Sequence, residues 1–195
     1  MKMNRFAILA SALFAFACVG AFLSPQPANA ASPAPIANAV RIKISTSQGD
    51  IVAVLDAKRA PKTVANFLQY VDAHFYDGGT FFRAVPTFVI QGGNHDREKP
   101  SDPQLVLEPT SKTGILNKDG YLSMARTSDP NSATSEFFIC DGDQSELDAS
   151  ASSPGYAAFG HVLSGMDVVR KIVRLPAENQ QLTTPVTIVK IVRIH

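Results

Sequence analysis

The sequence predicts a mainly β fold, an antiparallel sheet closed into a barrel with two helices covering its open ends. Eight short segments of alternating or continuous apolar character are separated by turn residues, and only two segments, far apart in the chain, carry a helical stripe. No internal repeat divides the chain.

The 195 residues begin Met1-Lys2-Met3-Asn4-Arg5, two cations ahead of an uncharged run over 6–23 and small residues ending Ala28-Asn29-Ala30. That order predicts a secretory signal peptide over 1–30, cleaved after Ala30. The run is about long enough to span a bilayer, so an uncleaved anchor is the alternative. A lipid-modified Cys18 is a third, although Ala15-Phe16-Ala17 fits that pattern poorly. Residues 31–39, with Pro33 and Pro35, read as a short flexible leader. The rest, 40–195, reads as one domain with one core. After cleavage Cys140 is the single cysteine, so an intramolecular disulfide is impossible and the thiol reads as buried and structural. Eighteen Lys and Arg against 17 Asp and Glu, scattered without a basic stripe, give no footprint for nucleic acid.

Within the domain, 40–46 alternates apolar and polar, and Gln48-Gly49-Asp50 turns it into 51–55, a hairpin pattern. Pro61 suits the first turn of a helix, and Val64, Phe67, Leu68 and Val71 recur at helical spacing to bury one stripe against a sheet. Further strands are expected at 80–83, 87–91, 120–125, 136–140, 157–163 and 184–194. A second helix is expected over 166–173, where Met166, Val169, Ile172 and Val173 form the stripe and Ser164 or Gly165 the start. The polar stretches 92–119, 126–134 and 141–155 flank the apolar segments, which points to binding loops.

One charge stands out. Arg83 lies inside Thr80-Phe81-Phe82-Arg83-Ala84-Val85-Pro86-Thr87-Phe88-Val89-Ile90-Gln91-Gly92-Gly93. Period-2 alternation puts Phe81 and Arg83 on one face, Phe88 and Ile90 together, and Val89 and Gln91 opposite them. A break at Pro86 would let Arg83 stand beside Phe88, Val89 and Gln91 in one pocket. The plain alternative is an edge-strand arginine with its head in solvent.

Two later segments, Gly120-Tyr121-Leu122-Ser123-Met124-Ala125-Arg126 and Ser135-Glu136-Phe137-Phe138-Ile139-Cys140, follow in order. Glu146-Leu147-Asp148 and Phe159-Gly160-His161-Val162-Leu163-Ser164-Gly165-Met166 come after them. Together with the arginine segment these five motifs resemble the cyclophilin family of peptidyl-prolyl cis-trans isomerases, from about Ile42 to the C-terminus. The resemblance implies an eight-stranded antiparallel barrel capped by two α-helices. It also implies rotation about X-Pro bonds of unfolded or flexible polypeptides, without a cofactor, by a monomer. Combined with the signal peptide, it implies a periplasmic location, with no membrane attachment after cleavage.

The chemistry such a reaction needs fits these residues. Twisting an amide must overcome a barrier of about 18 to 20 kcal/mol, and a catalyst has to bind the twisted form better than either planar one. On twisting, the prolyl nitrogen becomes a hydrogen-bond acceptor, so a fixed guanidinium aimed at it acts on the transition state. Arg83 is the candidate for that donor. By the resemblance, Phe88, Val89, Phe138 and Leu147 form the slot for the proline ring, and Gln91 orients the arginine and contacts substrate. Ala125 and Arg126 lie on the segment that pairs with the peptide, and Glu136 and Tyr156 complete the binding residues. Taken alone, Phe88 and Phe138 would read as barrel core.

The chain departs from the family pattern at four places. Phe82 replaces a usual His, Glu136 a usual Gln, Glu146 a common aromatic, and Tyr156 a frequent His. Glu136 could pair with Arg83 and quench it, which would leave a peptide-holding module without turnover. Loss of the aromatic at Glu146 predicts weak binding of the cyclic peptide cyclosporin. Other chemistries fail on inspection. Asp141, Asp143 and Ser145 start like a calcium loop but continue with Glu146 where Gly is needed. His74, His95, His161 and His195 lack metal-ligand spacing. Gly92-Gly93 precedes no phosphate motif, and no Ser sits in a nucleophile elbow.

Overall fold

The computed structural model describes residues 39–94 and 105–195. The signal peptide expected over 1–30 and all of the leader but Ala39 lie outside the described residues. In chain order the elements are β1 (Ala39–Thr46), β2 (Gly49–Asp56), α1 (Pro61–Asp72), β3 (Thr80–Val85), β4 (Val89–Gly93) and α2 (Thr110–Thr113). They continue with β5 (Tyr121–Met124), β6 (Phe137–Cys140), β7 (Ala158–Ser164), α3 (Met166–Val173), β8 (Ala177–Glu178) and β9 (Gln181–Ile194).

The strands pair in the order β1-β2-β7-β5-β6-β4-β3-β9, every neighbour antiparallel, and β1 also pairs with β9. That last pairing closes an eight-stranded barrel and removes both sheet edges. All eight expected strands and both expected helices are present, α3 over the very residues its stripe marked. Beyond them the structure adds α2, a 3-10 turn at Ser145–Leu147, and β8, which pairs with β9 alone.

The two main helices are fixed by different means. Pro61 starts α1, but Ala60 before it offers no side-chain cap. The cap comes from afar: the Glu108 carboxylate accepts from the Lys62 and Thr63 backbone N–H groups and from Thr63 Oγ1. Val64, Phe67, Leu68 and Val71 are buried as their spacing requires. Phe67 is the hub of the barrel interior, with ring centroids 5.1 Å from Phe159, 5.2 Å from Tyr76 and 5.4 Å from Phe137. α3 follows Gly165, whose φ of 94° and whose approach to Asp50 O, 2.5 Å from where a Cβ would stand, leave room for glycine only.

The strand bearing Arg83 differs from the regular alternation expected. Phe81 pairs with Gly92 but Arg83 with Gln91, a register shift that leaves Phe82 between them as a bulge. Phe81 and Ala84 therefore enter the core while Arg83 turns outward. The strand does break at Pro86, β3 ending at Val85 and β4 starting at Val89, but the bulge at Phe82 comes in addition, and because of it Phe81 and Arg83 do not share a face. Phe88 and Ile90 also part company, because Phe88 precedes β4 in a tight turn where Thr87 has a φ of 60°. Ile90, Phe137 and Ile139 pack into the core. Val89, Phe138 and Cys140 alternate away from them and form a second apolar cluster with Leu147, joined by Phe88, Ala125 and Tyr156. Phe88 and Phe138 are thus not barrel core but a separate patch on the outer side of the sheet.

Candidate active site

That outer cluster lines a pocket of about 230 Å³ bounded by Arg83, Phe88, Val89, Gln91, Ala125, Arg126, Phe138, Leu147 and Tyr156. These nine residues and Glu136 are the ones the resemblance implies for the site. Glu136 stands one step behind, its Oε2 accepting from Gln91 Nε2 at 2.9 Å.

Each wall has its own support. The turn before β4 is pinned by Asp141, whose Oδ2 accepts from Thr87 N and whose N–H donates to Phe88 O. Gln144 Nε2 donates to Thr87 O. Leu147 is anchored by Asn117, which donates to Leu147 O and to Asp148 Oδ1 and is itself buried. Tyr156 N donates to Leu147 O, closing the loop between them, and Gly155 at φ 68° passes so near Ala149 N that a side chain there would clash. The Tyr156 ring meets Phe138 edge-on at 5.6 Å. The Arg126 guanidinium lies over the Tyr156 ring and donates to Gly155 O from Nε at 3.0 Å and Nη2 at 2.9 Å. Its side chain is committed to the pocket wall, a role that peptide pairing by the backbone at 126 did not suggest.

Arg83 is held from two sides. Nη1 donates to Gln91 Oε1 at 3.3 Å, while Nε and Nη2 both donate to Gln180 Oε1, at 3.0 and 2.6 Å. The plain alternative of an arginine with its head free in solvent does not hold. Nor does Glu136 pair with Arg83 directly: among the described residues no carboxylate lies within pairing distance of Arg83, and Glu136 reaches it through Gln91. A carboxylate can only accept, so Glu136 fixes which end of the Gln91 amide carries the donors and turns its oxygen to Arg83. The sequence by itself does not reveal Gln180. No motif marks it, and 97 residues separate it from Arg83.

Burial, assisted by Asp148 and Asp119, pushes the Cys140 thiol up to about 12, so at neutral pH it is a neutral packing group, as its place at the end of an apolar strand suggested. Glu146 is exposed on the 3-10 turn and does not line the pocket. The site as a whole can do one kind of chemistry from its own residues. It presents a rigid cationic donor beside an apolar slot, with no activated nucleophile among the groups that line it.

The chain is similar to known proteins over nearly the whole domain. Residues 41–193 match the family model described as cyclophilin type peptidyl-prolyl cis-trans isomerase/CLD. A peptidyl-prolyl cis-trans isomerase of Acinetobacter baylyi is 39% identical over 157 residues, covering 79% of this chain and 84% of the relative. Peptidyl-prolyl cis-trans isomerase A of Dickeya dadantii is 41% identical over 141 residues, covering 71% and 73%. Among solved structures, a cyclophilin type isomerase of Cryptosporidium parvum, determined in the presence of the dipeptide Ala-Pro, superposes with a TM-score of 0.66 at 25% identity. It covers 80% of this chain and 98% of that one.

Proposed function

This chain belongs to the cyclophilin-type peptidyl-prolyl cis-trans isomerase family and is an enzyme of that class, and on that premise we propose that it assists the folding of exported proteins, with Arg83 as its catalytic group. The observation that carries the assignment of Arg83 is its guanidinium, gripped by Gln91 and Gln180 and bordering the slot of Phe88, Phe138 and Leu147. A proline ring seated in that slot brings its nitrogen toward the guanidinium. As the preceding carbonyl rotates, the nitrogen pyramidalises and accepts a charge-assisted hydrogen bond that neither planar isomer can make. One such bond, worth about 2 to 4 kcal/mol in a partly dry site, accounts for one and a half to three decades of rate. Val89 and Tyr156 complete the slot. Gln91 orients Arg83, and the backbone at Ala125 and Arg126 pairs with the peptide.

The export reading rests on residues 1–30, whose charged start, apolar run and Ala28-Asn29-Ala30 fit a cleaved signal. Residues 40–195 then act as a monomer in the periplasm on proline-containing segments of unfolded or flexible chains. Its test is cell fractionation with N-terminal sequencing. Periplasmic protein starting at Ala31 supports it, and cytoplasmic protein starting at Met1 contradicts it. The isomerase reading is tested by a coupled assay of cis-to-trans conversion in a short proline peptide, where failure to exceed the uncatalysed rate overturns it. With an exposed carboxylate at Glu146 in place of an aromatic, cyclosporin binds weakly. Sub-micromolar affinity in a titration would contradict that.

A further inference from the structure

Gln180 sits in the two-residue loop of the β8–β9 hairpin, where Glu178 pairs with Gln181 and both Asn179 and Gln180 have positive φ, 49° and 70°. This is the left-handed pairing of a type I′ turn, whose second place ordinarily goes to glycine. A glutamine there is held against its own backbone preference, and strain of this kind collects where a side chain is needed. Here the need is visible. Gln180 is tied to β3 twice, its backbone oxygen accepting from Ala84 N at 3.0 Å and its Oε1 from Arg83 Nε and Nη2.

We propose that Gln180 is a positioning residue for the isomerisation, acting through Arg83. The inference rests on the reading of Arg83 as the catalytic group. Gln91 constrains the guanidinium at a single nitrogen, about which the group can still swing. Acceptance from both Nε and Nη2 along the opposite edge fixes its plane. Of the five N–H donors of an arginine, Gln180 takes two and Gln91 one, so two remain for substrate, presented in one orientation. Gln180 touches no substrate in this scheme. It converts a mobile cation into a preorganised one.

The test is a double-mutant cycle of Gln180→Gly and Arg83→Ala in the full chain. It reads kcat and KM for a proline peptide together with the thermal midpoint. Glycine suits the positive φ and keeps the bond from Ala84 N, so Gln180→Gly is expected to leave the midpoint unchanged or raised. Its kcat should fall roughly tenfold with KM little altered. In the Arg83→Ala background the same change should cost nothing further, because the group it orients is gone. Full activity in Gln180→Gly, or an equal loss in both backgrounds, overturns the positioning role while leaving the catalytic arginine standing. Full activity in Arg83→Ala overturns both assignments.

Discussion

The guanidinium carbon of Arg126 stands 4.6 Å from the centroid of the Tyr156 ring, while Nε and Nη2 of the same side chain donate to the carbonyl of Gly155. One residue thereby fastens both the backbone and the ring that form one wall of the pocket. A stacked cation contributes about 0.5 to 1 kcal/mol at such a site, and hydrogen bonds from a charged donor about 1.5 to 3. Arg126→Ala should raise KM for a proline peptide about tenfold with a smaller effect on kcat, and Arg126→Lys should recover part of the loss. A drop confined to kcat would show that Arg126 acts on the transition state instead.

Among the described residues Glu136 reaches Arg83 through Gln91. Removing its carboxylate lets the Gln91 amide turn over and offer Arg83 a donor instead of an acceptor. Glu136→Ala should therefore lower kcat/KM severalfold, whereas Glu136→Gln, which can still accept from Gln91, should stay near the wild-type value. If Glu136→Ala were faster than wild type, the carboxylate would be quenching Arg83 rather than supporting it.

Glu108 caps α1 across 45 residues of chain. Loss of a side-chain cap costs about 0.5 to 2 kcal/mol, and Thr63 Oγ1 is buried and loses its partner as well. Glu108→Ala should lower the unfolding free energy by an amount in that range and shift the urea or thermal midpoint down, with kcat/KM of the folded protein unchanged. An unaltered midpoint would remove the cap from the account of α1.

His161, on β7, stacks on Tyr121 with centroids 5.3 Å apart, and its Nε2 has no hydrogen-bond partner among the described residues. Burial first, then the Arg59 guanidinium, holds its pKa below the ordinary imidazole value, with Asp56 opposing. The unfolded chain therefore binds the proton more readily than the folded one. No penalty exists above pH about 6.5, and stability declines as pH falls from there toward the folded value. Thermal midpoints measured from pH 8 to 5 should decline, and His161→Asn should flatten the decline. An equal slope in the mutant would place the effect elsewhere.

The barrel was legible because its strands are short runs of alternating or continuous apolar residues between turns and its helices carry clean stripes. α3 could be read to the residue because Gly165 marks its start and Val169, Ile172 and Val173 its buried face. The bulge at Phe82 was not legible, since Phe81-Phe82, two apolar residues in succession, reads equally well as a continuous buried strand. It arises from the pairing of β3 with β4 and β9, whose registers both shift there. That one residue decides whether Arg83 enters the core or the site. The pocket residues were found through motif order; by residue type alone Phe88 and Phe138 would read as barrel core. Gln180 and Glu108 lay beyond reach for a different reason: each acts on a partner 97 or 45 residues away through a side-chain hydrogen bond, and sequence carries no local trace of that. α2 and β8 are too short, at four and two residues, to show any period.

The central claim is that Arg83 favours the twisted amide over both planar forms. The direct measurement is kcat/KM of Arg83→Ala beside its equilibrium affinity for the same proline peptide, followed by line broadening or titration. At least a tenfold loss of kcat/KM is expected, about 1.4 kcal/mol or more of transition-state stabilisation, with affinity for the ground-state peptide and thermal midpoint nearly unchanged. Equal losses in affinity and kcat/KM, or no loss in either, would contradict it.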